Sequence, residues 1–108
     1  MSTFISFASP NEGVDTITDF STTNDTLLVS ASGFGGGLTA GGAILAAEFR
    51  SGSGAATATT AEHRFIYNTT TRALLFDADG SDTGFAPVQM ATLTNRPSLT
   101  IADIVVTA

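Results

Sequence analysis

The chain is expected to fold as a mainly β protein: a small antiparallel sheet or sandwich carrying one short packed helix. Three observations lead there. Strand-forming runs follow one another between Arg64 and Leu93, namely Arg64-Phe65-Ile66-Tyr67, Ala73-Leu74-Leu75-Phe76 and Val88 to Leu93. Three strands with apolar faces are about the minimum for an independently stable sheet. Eleven Gly and many Ser and Thr among 108 residues favour short strands and turns over long helices. Apolar residues make up 43% of the chain, enough to bury a core and to disfavour disorder. The length fits one domain, divided here into an N-terminal edge segment, residues 1–12, and a single β-rich unit, residues 13–108.

Taken in order, Ser2 to Ala8 forms an edge strand, since Phe4 and Ile5 favour extended backbone, and Pro10 to Gly13 turns the chain. From Gly13 to Phe20 a strand of period two places Asp15, Ile17 and Asp19 on one face. Val14, Thr16, Thr18 and Phe20 take the other face. A polar loop, Ser21 to Asn24, leads to Asp25 and a strand at Thr26-Leu27-Leu28-Val29. Six glycines between Ser32 and Gly42 predict a flexible connection, pinned by Phe34 and Leu38. Ala43 to Phe49 carries Ile44, Leu45 and Phe49 at helical spacing, which predicts two or three helical turns. Ser51 to Thr60 is a loop. The first two central runs pair as a hairpin closed by Asn68-Thr69-Thr70-Thr71. After Leu93, Thr94 to Pro97 turns, Ser98 or Thr100 begins a helical turn, and Asp103-Ile104-Val105-Val106 leads into a docked final strand.

Charge is sparse and one-sided: ten acidic residues face four arginines, lysine is absent, and the net charge is -6. Nucleic acid and anionic membrane call for the opposite sign, so neither is an expected partner. No run reaches the length of a transmembrane helix. With no cysteine there is no disulfide, thiolate metal site or thiol nucleophile. Met1 to Pro10 has no basic residue and does not read as a cleavable signal peptide.

Seven of the ten acidic residues are Asp, mostly in or beside turns, where their oxygens suit either a hard cation or backbone capping. Asp77, Asp79, Ser81 and Asp82 form the first candidate metal site, with Gly80 permitting the turn. This is not an EF-hand loop, because Asp82 stands at the sixth position and Val88 at the twelfth. Asp15, Asp19 and Asp25 form the second; fully extended backbone would hold Asp15 and Asp19 roughly 13–14 Å apart, so sharing an ion requires a bend. His63, beside Glu62 and Arg64, has neither a nucleophile motif nor a second histidine near it and reads as an ordinary strand residue. The Gly33–Gly37 run lacks the ending of a phosphate loop.

Several segments in order resemble the C-terminal region of the repeats-in-toxin (RTX), or hemolysin-type calcium-binding, proteins. They are Gly13 to Phe20 with Asp25, then Arg64-Phe65-Ile66-Tyr67, Leu75-Phe76-Asp77-Ala78-Asp79-Gly80, Val88 to Leu93, and Asp103-Ile104-Val105-Val106. The resemblance implies a secreted, non-catalytic domain that caps an upstream RTX β-roll, with Ca2+ at the aspartate turns. Asp103, Ile104, Val105 and Val106 would be the signal read by type I secretion machinery. The family's glycine-aspartate repeats are missing, so no β-roll is expected within this chain. Arg72 stands where the family commonly has a hairpin glycine, so a positive φ there would be strained.

The expected function is therefore a non-enzymatic, calcium-associated module of an exported protein. The alternative is a metal-free structural β-domain that covers its exposed sheet edges with a partner or as a homo-oligomer.

Overall fold

The computed structural model describes residues 3–7, 14–18, 20–21, 25–35, 37–38, 40–54, 58–60, 62–78, 80, 87–94 and 99–107. The chain is mainly β, as expected. In chain order the strands are β1 (Thr3–Phe7), β2 (Asp15–Ile17), β3 (Asp25–Ser30), β4 (Gly42–Ala43) and β5 (Phe49–Gly52). They continue with β6 (Phe65–Asn68), β7 (Ala73–Phe76), β8 (Val88–Leu93) and β9 (Ile104–Thr107). A one-turn helix, α1 (Ala31–Phe34), and 3-10 turns at Ala46–Glu48 and Ile101–Asp103 complete the description. One sheet has the order β1-β3-β9-β4 and the other β2-β8-β7-β6-β5. Among the described residues no helix is long and apolar enough to cross a membrane.

The path between the sheets traces an irregular coil that the sequence did not suggest, without the stacked repeats of a β-roll among the described residues. The chain runs from β1 in the first sheet to β2 in the second, back to β3, and later through β8 to β9, so that it alternates between sheets twice. Both sheets are mixed; the strands that this path brings side by side, β1 with β3, β3 with β9 and β2 with β8, pair in parallel. Thr3 stands opposite Asp25 and Phe7 opposite Val29, so the first circuit takes 22 residues. Leu27 stands opposite Ile104, so the second takes 77. That second circuit carries residues 31–87 between β3 and β8. The coil was hidden because a solenoid is normally recognised by a repeat, and here the period is broken by the long segment inside its second turn.

That inserted segment contains the hairpin read from sequence. β6 and β7 pair antiparallel, β7 and β8 likewise, and β5 adds parallel to β6. The hairpin turn is organised by Asn68, buried, whose Oδ1 accepts from the backbone N–H groups of Thr70 (2.9 Å), Thr71 (3.0 Å) and Gly54 (3.3 Å). The Arg72 N–H closes the turn on the Asn68 carbonyl at 2.7 Å. Arg72 has a φ of 67°, the left-handed value anticipated where a glycine would be easier. A register shift between Leu74 and Leu75 leaves Met90 as the extra residue of β8, which lets Met90 and Ala91 both be buried.

One buried cluster joins the sheets. Phe7, Leu27, Val29, Ile104 and Val106 come from the first sheet; Ile17, Phe65, Tyr67, Leu74, Phe76, Met90 and Leu93 come from the second. Ile66, on the opposite face of β6 from Phe65 and Tyr67, is also fully buried.

Two local expectations are revised. Ala43 to Phe49 is not a helix of two or three turns: its start belongs to β4, Ala46–Glu48 is a single 3-10 turn, and Phe49 begins β5. Phe49 to Gly52 pairs with Phe65 to Asn68, and this tertiary pairing outweighs the local helical spacing. Ser32 to Phe34, placed in a flexible connection, belongs to α1, whose N-cap Ser30 Oγ accepts from Gly33 N–H at 3.3 Å. The strand from Gly13 to Phe20 is shorter than expected, ending at Ile17, and buries Ile17 and Phe20 while Val14 stays 53% exposed.

Candidate functional site

The acidic turn after β7 starts inside the protein. Asp77 is 3% exposed, and its N–H donates to the Arg64 carbonyl at 2.8 Å, extending the β6–β7 ladder by one rung. Gly80 has a φ of 66°, a left-handed turn residue as expected. Asp79, Ser81 and Asp82 lie outside the described residues. Asp77 is therefore the one carboxylate of this set among the described residues, and it is buried.

The second set is spread along the coil. Asp15 opens β2 and is exposed; Asp25 opens β3 in the other sheet; Asp19 lies outside the described residues. Asp25 Oδ2 accepts from the Ser21 N–H at 2.8 Å, and the Asp25 N–H donates to the Ser21 carbonyl at 2.7 Å. This reciprocal pair closes the turn into β3 and uses the carboxylate for capping. Nor do the two sets converge at their described members. Asp15 stands opposite Ala91, Ala91 opposite Leu74, and Asp77 lies three residues beyond Leu74. Two strand spacings and three rises separate their Cα atoms by roughly 14 Å. Among the described residues no three His, Cys, Asp or Glu gather as a metal-ligand group.

The C-terminal motif is absorbed into the fold. Asp103 Oδ2 accepts from the Thr100 N–H at 2.9 Å and from its hydroxyl at 3.2 Å, which caps the last 3-10 turn. Ile104 and Val106 are buried and Val105 half-buried in β9, an interior strand between β3 and β4. A receptor reading these four residues as an extended peptide has to meet them before this strand docks.

His63 Nδ1 accepts from the Thr59 N–H at 3.1 Å, so that ring nitrogen serves a loop contact. A shallow cavity of about 300 Å³ is lined by Ala40, Gly41, Gly42, Ala43, Leu45 and Glu48. Its carboxylate, Glu48, accepts from the Leu45 N–H at 2.9 Å, again a cap.

An edge strand at Ser2 to Ala8 and exposed sheet edges were expected; what sequence reasoning missed is that β2 forms the edge of a second sheet and that both edge strands pair in parallel. β1 ends one sheet and β2 ends the other, and among the described residues neither has a strand on its outer side. Both belong to the first circuit, so both edges lie at the same end of the coil. No nearby residue type marks them; only the pairing does.

No family model, curated protein or solved structure matches the chain.

Proposed function

We propose that the chain is a non-enzymatic, calcium-associated module of a type I-exported, secreted protein, and that it terminates a parallel two-sheet β-coil. The observation that carries this reading is the alternation of the chain between two sheets with parallel pairing in each. The edges of β1 and β2 offer unpaired backbone groups to a preceding circuit in the sense in which β3 and β8 already pair with them. At the other end, β4 turns antiparallel against β9, and the β5–β7 segment extends the second sheet.

Calcium enters through the acidic segment 77–82, whose Asp residues offer the hard oxygen ligands it prefers and whose Gly80 takes a left-handed φ of 66°. A cation that binds the folded and not the unfolded chain stabilises the fold by mass action. The second reading, a metal-free domain that covers its edges by self-association, draws on Asp25 and Asp103, whose carboxylates act as caps.

Calorimetric titration with calcium, paired with melting in EDTA and in about 5 mM calcium, separates the two readings, because extracellular-type sites bind near 10⁻⁴–10⁻³ M. We expect saturable heat and a higher Tm in calcium, both lost on Asp77→Asn with Asp79→Asn. A signal that survives those changes moves the site to Asp15, Asp19 and Asp25. No heat and no shift would leave the metal-free reading, which a concentration-dependent mass in solution then supports.

A further inference from the structure

β2 is the outermost strand of the second sheet and is three residues long, Asp15-Thr16-Ile17. Period two puts Asp15 on the same face as Ile17, which is buried in the core. The register agrees. Asp15 stands beside Ala91, Ala91 beside Leu74 and Leu74 beside Tyr67, and those three side chains belong to the core cluster. Asp15 is thus a core-facing carboxylate, exposed because among the described residues no strand lies outside it.

A strand laid along β2 would continue the core-facing row and cover Asp15, taking its carboxylate out of water. A three-residue edge returns only a few backbone hydrogen bonds, and these do not offset an unpaired buried charge. The new neighbour has to set a basic side chain on the same face. A second copy of this chain has none to offer. β1, β2, β4 and β5 end the two sheets, and among them Arg50 of β5 is the one basic residue. Arg50 stands beside Ile66, on the face of the sheet opposite Phe65 and Tyr67, so it belongs to the outward row.

We propose that Asp15 keeps the β2 edge single: its carboxylate refuses a second copy of this chain, and removing the charge turns the edge into a self-association surface. The inference rests on strand order and register, not on calcium at residues 77–82. It confines self-association of the native chain to edges other than β2. A preceding circuit stacked on β2 has to place a basic side chain beside Asp15.

Sedimentation of the full chain over a range of concentrations tests this, with circular dichroism showing that each variant folds. Asp15 is exposed and valine favours strands, so Asp15→Val keeps the fold. Its weight-average mass should rise above the parent's with concentration, towards twice the value. Asp15→Lys should sediment as the parent does, since a charge of either sign blocks an edge. That variant separates the edge from net charge, because it moves the chain from -6 to -4 whereas Asp15→Val moves it only to -5. Thr16→Val, on the outward face of the same strand, should also match the parent. An unchanged mass for Asp15→Val overturns the proposal. So does association of Asp15→Lys or Thr16→Val as strong as that of Asp15→Val.

Discussion

Arg72 shows what a single backbone angle costs. Its φ of 67° lies in the left-handed region, and its Nε is buried without a hydrogen-bond partner. A non-glycine residue there carries a penalty of about 1–2 kcal/mol, of which glycine's extra freedom in the unfolded chain returns about 0.4–1 kcal/mol. Arg72→Gly is therefore expected to stabilise the protein by roughly 1 kcal/mol, a rise in Tm of about 4–8 °C for a domain of this size. Arg72→Ala should not, because it keeps the strain. A thermal melt in which Arg72→Gly falls below the parent would mean that the aliphatic stem packs better than the angle costs. This position was singled out beforehand only through the resemblance, which sets a hairpin glycine where Arg72 stands. The aspartates were less legible, since the same side chain serves a cation or an amide. Asp25 and Asp103 cap local N–H groups, and only coordinates distinguish the two uses.

At the scale of elements, α1 shows how little local propensity decides. Four residues, Ala31-Ser32-Gly33-Phe34, cannot hold a helix unaided. The turn exists because Phe34 enters the core, with ring centroids 5.0 Å from Phe76 and 6.1 Å from Phe65. The Phe34–Phe76 pair meets at 83°, the edge-to-face arrangement that aromatic quadrupoles favour. Phe34→Ala should then cost about 3–5 kcal/mol. Leu45→Ala, at a side chain 65% exposed, should stay within about 0.5 kcal/mol. Urea unfolding of the pair decides the matter: equal costs would mean that α1 is an ornament on the glycine-rich connection. The hairpin strands β6 and β7 were visible in the sequence because their turn and their partners are local. The parallel partners of β5 and β2 were not, since nothing near Phe49 or Asp15 names Phe65 or Ala91 as the strand beside it.

For the whole molecule, the consequence of this topology is kinetic. The β6–β7 hairpin closes through a short turn, whereas β1–β3 must close 22 residues and β3–β9 must close 77. Loop closure has to be met before distant contacts compensate it, so parallel pairing of this kind slows folding. The chain should fold in milliseconds to seconds, not microseconds. The order of events follows from the same costs: the local β6–β7–β8 meander forms early, and β9 joins it only once β3 and β8 are in place. Leu74→Ala in the meander is thus expected to slow refolding, with a φ-value above about 0.5, while Val106→Ala chiefly accelerates unfolding, with a φ-value below about 0.3. Both side chains are buried, Leu74 at 0% and Val106 at 1% exposure, so each substitution removes enough stability for the ratio to be meaningful. Stopped-flow chevrons on the two variants provide the comparison. Should Val106 prove the high-φ position, β9 would nucleate the fold, and the coil would be built from its C-terminal strand backwards, with the meander added afterwards. The low value expected here has a sharper implication. A strand that docks after the rate-limiting step, yet holds the middle of a sheet, stays accessible through most of folding and is inaccessible once folding is complete.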